Sequence, residues 1–228
     1  MGGQEQKSNL PVSAIIPTLN AAACIARTTG PLQSVAEIIV SDGGSTDGTR
    51  KISHELGCRV IEMQRGRGQQ FAAGIAMAHY PWLLLIHADT MLQAGWDRAV
   101  QHHITNHSSK AGWFRFELDS PERSARRLEQ FVAWRCRVLG LPYGDQGLLI
   151  HRDLLNAVGG VRPLPLMEDV DLIRRLGRRR LVPLDAAALT SAARWERDGW
   201  LARSARNLLC LTLWFAGVPP SVIARIYG

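Results

Sequence analysis

The sequence predicts an α/β fold, a parallel doubly wound sheet with helices on both of its faces. Two observations lead to this prediction. Short apolar runs alternate with helical segments along the first half of the chain, and these runs stop at residues that favour turns. A chain of 228 residues also buries about 70% of the surface that it exposes when unfolded, which is enough for one large core.

Four strands and four helices are predicted in the first half of the chain. The strands are the apolar runs at residues 12–16, 36–41, 59–63 and 82–87. Three of the helices are expected at residues 21–34, 69–79 and 94–105. The fourth runs to residue 56, where Ser45 or Asp47 caps its start and Gly57 ends it.

The pattern changes after residue 105. The predicted elements are a strand at 112–118, an arginine-rich helix at 122–139, a strand at 147–151, a short helix at 167–176 and a strand remnant at 181–183. Residues 197–227 indicate one or two C-terminal helices, broken at the stretch from Gly217 to Pro220. We therefore expect one domain over residues 1–196 and amphipathic helices over residues 197–228.

Composition restricts the classes of protein that fit. The net charge of +7 comes almost wholly from arginine, because Lys7, Lys51 and Lys110 are the only lysines. The four cysteines have no Cys-x-x-Cys spacing and the N-terminus has no apolar leader run, so we expect reduced thiols in a cytoplasmic protein. A basic chain suits nucleic-acid binding, but no nucleic-acid-binding motif is present.

Two aspartates come directly after predicted strands. Ligands of open parallel sheets bind beyond the carboxyl ends of the strands, which is where Asp42 and Asp89 are expected. Asp42 precedes two glycines that let a ligand approach the backbone, and the carboxylate of Asp89 suits a hard divalent cation. The alternative for both residues is a turn aspartate that accepts hydrogen bonds from local amides.

A turn rich in glycine and arginine joins the third strand to its helix. Such a turn can bring backbone amides and guanidinium groups toward phosphates. Its residues are Arg65, Gly66, Arg67 and Gly68. The spacing matches neither a Walker A loop nor the Gly-x-Gly-x-x-Gly pattern of dinucleotide-binding folds. The sequence therefore argues against a P-loop enzyme and a nicotinamide dehydrogenase.

Together these motifs resemble family 2 glycosyltransferases of the GT-A fold, whose Rossmann-like sheet is mixed but mostly parallel. The motifs that carry the resemblance are Pro17-Thr18-Leu19-Asn20, Ser41-Asp42-Gly43-Gly44-Ser45, Arg65-Gly66-Arg67-Gly68, His87-Ala88-Asp89-Thr90 and Glu168-Asp169-Val170-Asp171. Three more are similar to a subgroup associated with arsenosugar biosynthesis and radical-SAM or selenodomain proteins. They are Gly144-Asp145-Gln146-Gly147, Leu166-Met167-Glu168-Asp169 and Ala193-Arg194-Trp195-Glu196-Arg197.

The resemblance implies a role for individual residues. Asp42 would contact the nucleotide base, Arg67 the nucleotide, and Asp89 a divalent cation, Mn²⁺ or Mg²⁺. Asp169, with Glu168 as the neighbouring alternative, would take the proton of the acceptor hydroxyl in an inverting reaction. The expected contacts with the nucleotide-sugar are Pro17, Thr18, Asn20, Asp42, Gly43, Arg65, Arg67, Gly68, His87 and Ala88.

Three departures from the family pattern concern the donor and the cation. Gly43 stands where many relatives have a second aspartate, and His87 replaces the first acid of the usual Asp-x-Asp motif. Asp89 would therefore bind a cation alone or together with His87. No histidine follows His151, so the C-terminal histidine ligand of some GT-A enzymes is absent.

The resemblance predicts a metal-dependent glycosyltransferase that moves a sugar from a nucleotide-sugar to a small or lipid-linked acceptor. Its nucleotide-binding half would span residues 10–105 and its acceptor half residues 106–196. The residues expected at the sugar and acceptor sites are Trp113, Tyr143, Asp145 and Gln146. The alternatives are a sugar-phosphate nucleotidyltransferase, which would open with a basic glycine-rich loop after the first strand, and a basic nucleic-acid-binding protein.

The C-terminal helices carry an apolar stripe beside arginines. Arg203 and Arg206 flank Leu201, Leu208 and Phe215 in a helical pattern. This pattern predicts contact with a membrane surface, at the inner face of the membrane, or packing on the catalytic domain or a homodimer partner. The stretch is too short to span a bilayer, which takes about 20 apolar residues.

Overall fold

The computed structural model of the chain describes residues 9–143 and 145–227. Gly144, which belongs to one of the subgroup motifs, and Lys7 lie outside the described residues. The described strands are β1 (Leu10–Thr18), β2 (Val35–Asp42), β3 (Arg59–Glu62), β4 (Trp82–Leu85), β5 (Thr90–Leu92), β6 (Ala111–Leu118), β7 (Leu148–His151) and β8 (Leu181–Thr190).

Helices cover both faces of the sheet and form the C-terminal part of the chain. They are α1 (Ile25–Thr29), α2 (Thr49–Glu55), α3 (Arg67–Met77), α4 (Trp96–Asn106), α5 (Arg123–Leu139), α6 (Arg152–Ala157), α7 (Glu168–Leu176), α8 (Ala193–Asp198), α9 (Trp200–Phe215) and α10 (Pro220–Tyr227). Two short 3₁₀ helices, Gly30–Ser34 and Arg178–Arg180, complete the described elements.

The strands form one mixed sheet of eight strands in the order β3-β2-β1-β4-β7-β6-β8-β5. β1, β2, β3 and β4 are parallel, as the alternation of the first half predicts. β7 then runs antiparallel to β4 and to β6, and β5 runs antiparallel to β8. The mixed, mostly parallel sheet implied by the resemblance is thus confirmed, with its antiparallel pairs in the second half of the chain, where the alternation ends.

Two strands differ from the sequence prediction in length or existence. β8 extends to Thr190, although the sequence predicts only a strand remnant at 181–183. The prediction stops early because Ala186, Ala187 and Ala188 have low strand propensity. These alanines are buried, and β8 pairs with both β6 and β5. β5 has three residues and gives no periodic signal. Tertiary pairing therefore decides both strands.

Both faces of the sheet are buried. Along β1, the side chains of Val12, Ala14 and Ile16 join one apolar cluster, whereas Ile15 joins the cluster on the opposite face. This alternation explains the continuous apolar run at the start of the chain, since strands covered on both faces lose the polar side of their pattern. The central strands consequently form a rigid base for the loops at their ends.

The C-terminal helices pack on the region around α7. Leu166, Met167 and Val170 form an apolar cluster with Cys210 of α9 and Ile223 of α10. A break separates α9 from α10 at the predicted position and includes a glycine with a positive φ. Within the described residues, no helix is long and apolar enough to cross a membrane.

Candidate active site

Loops from several strands meet at one edge of the sheet. β1 and β2 are parallel and end at Thr18 and Asp42, which are register partners. β4 is parallel to β1 and leads into the loop that contains His87 and Asp89. Because β7 is antiparallel to β4, the turn with Asp145 before β7 reaches the same edge. The sheet thereby assembles polar groups that are far apart in sequence.

Asp42 is fully buried and holds the turn after β2. Its Oδ2 accepts hydrogen bonds from Thr18 Oγ1 at 2.9 Å and from Ser45 Oγ at 2.5 Å. Its Oδ1 accepts from the backbone N–H groups of Gly44 at 3.1 Å and Ser45 at 2.8 Å. The carboxylate is therefore satisfied inside the protein, and its contact with a nucleotide base stays a prediction.

The loop after β1 is tied to the loop after β2. Asn20 has a left-handed backbone, and its Oδ1 accepts a hydrogen bond from the Thr46 N–H at 2.9 Å. Asp47 accepts from the N–H groups of Ala22 at 3.1 Å and Thr49 at 3.0 Å, so that it links the two loops at the start of α2. These hydrogen bonds give the edge of the sheet a defined shape beside β1 and β2.

Packing explains the glycine at position 43. A Cβ there would lie 3.1 Å from Gln70 Nε2 and 3.3 Å from the Cα of Arg65, so a second aspartate would require these groups to shift. Gln70 is buried, and its Nε2 donates to the carbonyl oxygens of Thr18 and Ser41 at 2.7 Å each. Gln70 thus joins the ends of β1 and β2. No motif in the sequence identifies this residue.

The arginine turn faces the acidic start of α7. The Nε of Arg67 lies 2.8 Å from Glu168 Oε1, but the Nε–H does not point well at that oxygen. The Nη2 of Arg67 donates a hydrogen bond to Glu168 Oε2 at 3.4 Å. Burial acts to lower the pKa of Arg67, but the charges of Glu168 and Asp169 outweigh it and raise the pKa. The exposed Arg65 lies on the same turn.

Gly68 serves the packing of the chain against itself. A Cβ at this position would lie 2.4 Å from the carbonyl oxygen of Arg162 and 2.7 Å from the backbone nitrogen of Leu164. The space that only glycine leaves is therefore filled by the backbone of residues 162–164. The contact of Gly68 with the nucleotide-sugar, which the sequence predicts, stays a prediction.

His87, Asp89 and Asp145 form a compact acidic group. Their candidate ligand atoms all lie within 4.8 Å of one another. His87 Nδ1 is 2.7 Å from Asp145 Oδ1. Asp145, expected at the acceptor site, thus lies with the predicted metal-binding residue Asp89.

The three side chains of this group shift one another's pKa. Burial raises the pKa of Asp89, and the neighbouring carboxylate of Asp145 raises it further. Burial also acts to raise the pKa of Asp145, but the hydrogen bond and charge of His87 outweigh it and lower the pKa. For His87, burial acts to lower the pKa, and the hydrogen bond to Asp145 more than offsets it. The imidazole of His87 and the carboxylate of Asp145 thus form a hydrogen-bonded pair beside Asp89.

Backbone hydrogen bonds hold the loop between β4 and β5. The carbonyl oxygen of Ala88 accepts from Thr28 Oγ1 at 2.5 Å, and the Ser191 N–H donates to the carbonyl oxygen of Asp89 at 3.2 Å. Pro17 is buried in β1 opposite Ser41. The sequence predicts Pro17 and Ala88 as nucleotide-sugar contacts, which stays a prediction.

Arg194 of α8 reaches the acidic group from the C-terminal side. Its Nη2 lies 3.6 Å from Asp89 Oδ2. Burial acts to lower the pKa of Arg194, but the carboxylates of Asp89 and Asp145 outweigh it and raise the pKa. The sequence includes this arginine in a subgroup motif without indicating a role in the site. The motif itself is the signal that would have identified it.

Glu168 and Asp169 are adjacent in sequence but differ in environment. Met167, whose φ is 66°, turns the chain into α7. Glu168 is 1% exposed and faces Arg67, and burial raises its pKa. Asp169 is half-buried and lines a pocket at the site, and its Oδ1 accepts from the Val170 N–H at 2.7 Å. The two carboxylates therefore point into different surroundings.

Of the other residues expected at the acceptor site, Tyr143 lines the same pocket. The guanidinium carbon of Arg135 lies 3.8 Å from the centre of its ring. Gln146 also borders the pocket, but its amide is occupied: Oε1 accepts from Arg135 at 3.2 Å and Nε2 donates to the Phe114 carbonyl at 3.1 Å. Trp113 is partly buried against the apolar cluster under α5, and its predicted role at the acceptor site stays a prediction.

Comparison with known families gives this site its context. The family model described as glycosyl transferase family 2 matches residues 13–159, well over half of the chain. The chain belongs to glycosyl transferase family 2. The predicted family and enzyme class are thus confirmed, whereas the arsenosugar-associated subgroup is not. No protein of curated function matches the family 2 chain.

Solved structures with the same fold include three glycosyltransferase complexes. Residues 1–349 of TarS from S. aureus with UDP-GlcNAc are 17% identical at a TM-score of 0.62, over 80% of this chain and 58% of that one. Glucosyl-3-phosphoglycerate synthase from Mycobacterium tuberculosis, in complex with Mn²⁺, UDP and glucosyl-3-phosphoglycerate, is 18% identical. Its TM-score is 0.59, and the likeness covers 91% of this chain and 80% of that one. GalNAc-T7 in complex with UDP, GalNAc and Mn²⁺ is 14% identical at a TM-score of 0.60, and the likeness covers 79% of this chain and 43% of that one.

These likenesses confirm the GT-A fold of the family 2 chain. The chain spans 58% of the length of the TarS fragment, so that protein includes regions with no counterpart in the alignment. Two of the three complexes contain Mn²⁺, and all three contain UDP or a UDP-sugar.

Proposed function

We propose that this chain is a metal-dependent, inverting glycosyltransferase that transfers a sugar from a nucleotide-sugar to a hydroxyl acceptor. The observation that carries the proposal is the convergence of His87, Asp89 and Asp145 at the carboxyl edge of a family 2 sheet. Two carboxylates and an imidazole within 4.8 Å suit a divalent cation. The similarity to UDP complexes supports a nucleotide-sugar donor.

The donor set fits Mn²⁺ better than Mg²⁺. Carboxylate oxygens suit either cation, whereas an imidazole nitrogen suits Mn²⁺ more than the harder Mg²⁺. Burial, and then the charge of Asp145, raise the pKa of Asp89, and a bound cation would favour its charged form. His87, Asp89 and Asp145 are the residues that would hold the cation. When bound, it offsets the charge that builds on the departing nucleoside diphosphate.

Arg67 and Arg194 add positive charge on two sides of the acidic group. Arg194 lies against Asp89, and Arg67 lies against Glu168. Guanidinium groups bind phosphate oxygens through paired hydrogen bonds. We therefore assign both arginines to the diphosphate of the donor. The turns that contain Asn20 and Gly43 would lie beside the nucleotide base, and Arg65 would lie at the outer edge of the donor site.

Asp169 is the proposed general base. Both Asp169 and Glu168 line the pocket with Tyr143 and His87, but Glu168 is buried and paired with Arg67, whereas Asp169 is half-buried. An acceptor hydroxyl is a poor nucleophile until a carboxylate takes its proton, and such help contributes roughly 10² to 10⁴-fold in rate. One base on the acceptor side matches direct displacement with inversion. The subgroup resemblance leaves the acceptor as a small molecule or a lipid-linked hydroxyl compound.

Donor binding with and without cation tests the proposal. Calorimetric titration of the full chain with UDP, GDP and dTDP sugars should give saturable binding for one of them in Mn²⁺, and at least tenfold weaker binding after chelation. Asp89→Asn should remove the Mn²⁺ dependence, whereas Asp153→Asn, a matched change at a side chain that is 87% exposed, should not. Full transfer activity in excess chelator would contradict metal dependence.

The same titration separates the alternatives. A nucleotidyltransferase would accept a nucleoside triphosphate and a sugar phosphate in place of the nucleotide-sugar. A nucleic-acid-binding protein would bind an oligonucleotide with steep salt dependence. Either outcome, in the absence of nucleotide-sugar binding, would contradict the proposal.

A further inference from the structure

The outer face of α5 combines arginines with large apolar side chains. Arg123, Arg127, Phe131, Trp134 and Val138 follow one another at spacings of three or four residues and are all exposed. The rings of Phe131 and Trp134 stack with their centroids 5.8 Å apart, although each side chain is about half exposed. A helix facing only water would ordinarily place polar groups at these positions.

Acidic side chains are few on α5 and α9, although the exposed Glu122 precedes α5. The acidic residue within α5, Glu129, is 14% exposed and pairs with Arg126 at 2.9 Å. The sequence from residue 199 to residue 228 contains no aspartate or glutamate. On α9, Leu201 is 88% exposed and Leu208 is 56% exposed. The exposed groups on the outer face of α5 itself, from Arg123 to Val138, are consequently apolar or cationic.

α5 and α9 are neighbours in the fold. Trp200, the first residue of α9, packs with the cluster that contains Val132 and Cys136 of α5. Tyr143 stacks under Arg135 of α5 and also packs with the cluster formed by α9 and α10. Both helices therefore contact apolar clusters next to the pocket that Tyr143 lines.

We propose that the exposed residues of α5 (Arg123, Arg127, Phe131, Trp134 and Val138) and of α9 (Leu201 and Leu208) form a lipid-binding face for an anionic membrane surface. Arginines beside exposed aromatic and leucine side chains are the combination that binds the headgroup region of a bilayer. Each arginine near an anionic surface strengthens binding about 5-fold. The face is therefore matched to lipid in both charge and polarity.

A second copy of this chain fits the face less well. In a symmetric dimer the same patch meets itself. Arg123 and Arg127 would then face the same arginines of the second copy, and within α5 the carboxylate of Glu129 already pairs with Arg126. Like-charge contact in an interface opposes association. Charge thus favours an anionic lipid surface over self-association.

Sedimentation with vesicles tests the lipid-binding face. The full chain should bind vesicles of equal parts phosphatidylglycerol and phosphatidylcholine at low salt, and should stay in the supernatant with phosphatidylcholine alone. The double variant Arg123→Gln and Arg127→Gln should partition roughly 25-fold less, at about 5-fold for each charge removed. Phe131→Ser with Trp134→Ser should lose binding. Lys51→Gln, on the remote helix α2 and 83% exposed, should bind as the original chain does.

Two results would overturn the lipid-binding face. One is that the chain stays unbound with the anionic vesicles, or that the arginine variant binds equally well. The other is light scattering that finds a dimer which Phe131→Ser with Trp134→Ser converts to a monomer. Thermal unfolding and nucleotide titration of each variant should match those of the original chain, because these side chains are exposed. Vesicle binding can therefore contradict the lipid-binding proposal while nucleotide titration still supports the proposed function.

Discussion

Asp42 shapes the turn after β2 because its carboxylate accepts four hydrogen bonds inside the protein. Asp42→Ala would leave the hydroxyl of Thr18 and the N–H of Ser45 without this acceptor, and each unsatisfied buried group costs about 1–3 kcal/mol. We expect the free energy of unfolding to fall by about 3 kcal/mol or more in urea titrations, together with donor affinity. Asp153→Ala, at an exposed carboxylate, should change it by about 0.5 kcal/mol at most.

A different result would assign Asp42 to the base of the nucleotide. In that case Asp42→Ala would unfold at the same urea concentration as the original chain and lose only donor affinity. The comparison separates a carboxylate that holds the loop from one that binds ligand.

The adjacent carboxylates of α7 give a second prediction. If Asp169 takes the acceptor proton as the new bond forms, Asp169→Asn should spare donor affinity and lower turnover by roughly 10² to 10⁴-fold. Glu168→Gln should instead weaken donor affinity and stability, because it removes the buried partner of Arg67. Calorimetry and single-turnover rates measure the two quantities separately. Near-normal transfer by Asp169→Asn with loss in Glu168→Gln would make Glu168 the base.

Several site residues could be predicted from the sequence because they follow strands or belong to compact motifs. Asp89 and the Glu168–Asp169 pair are of this kind. The approach of Arg194 to Asp89, and of Arg67 to Glu168, joins segments about 100 residues apart. No local pattern encodes such pairs, since tertiary packing creates them.

The close contact between α3 and the segment before α7 matters at the scale of elements. At Gly68 a Cβ would lie 2.4 Å from the backbone of Arg162. Gly68→Ala should push these elements apart and lower stability by about 1–3 kcal/mol, as overpacking does. Thermal and urea unfolding measure the change.

Gly30→Ala is the matched control for this substitution. Its Cβ would meet nothing within 4 Å, and its φ of −51° is one that alanine adopts readily. We expect that variant to be as stable as the original chain or more stable by about 0.4–1 kcal/mol. Equal stability of Gly68→Ala and Gly30→Ala would show that the 162–164 backbone yields without cost.

The predicted elements of the first half agree with the structure because each carries its own periodicity and stop signal. Gly57 ends α2 with a positive φ, as its place after the helix predicts. The predicted helix at 21–34 is instead α1 followed by a 3₁₀ helix with Pro31 in its first turn, because proline lacks the N–H that an α-helix requires. Element boundaries thus depend on single residues whose backbone chemistry is known.

At the scale of the whole molecule, the sequence predicts the layers but not the order of the strands in the second half. β1, β2 and β3 pair in sequence order through the crossover helices that parallel strands need, whereas β4 returns to the other side of β1. The insertion of β8 between β6 and β5 depends on pairing across the chain. Family resemblance, rather than periodicity, supplied the mixed character of the sheet.

The pairing of β5 with β8 also sets an order of events when the chain folds. Thr90 lies opposite Thr190, and the Ser191 N–H donates to the carbonyl of Asp89, so the loop between β4 and β5 gains its pairing with β8 only after residues 181–191 are in place. Contacts across so long a stretch form slowly. During synthesis, the parallel strands β1 to β4 are complete on a nascent chain that still lacks this edge. In refolding, burial of Trp82 in β4 should therefore precede recovery of cation binding.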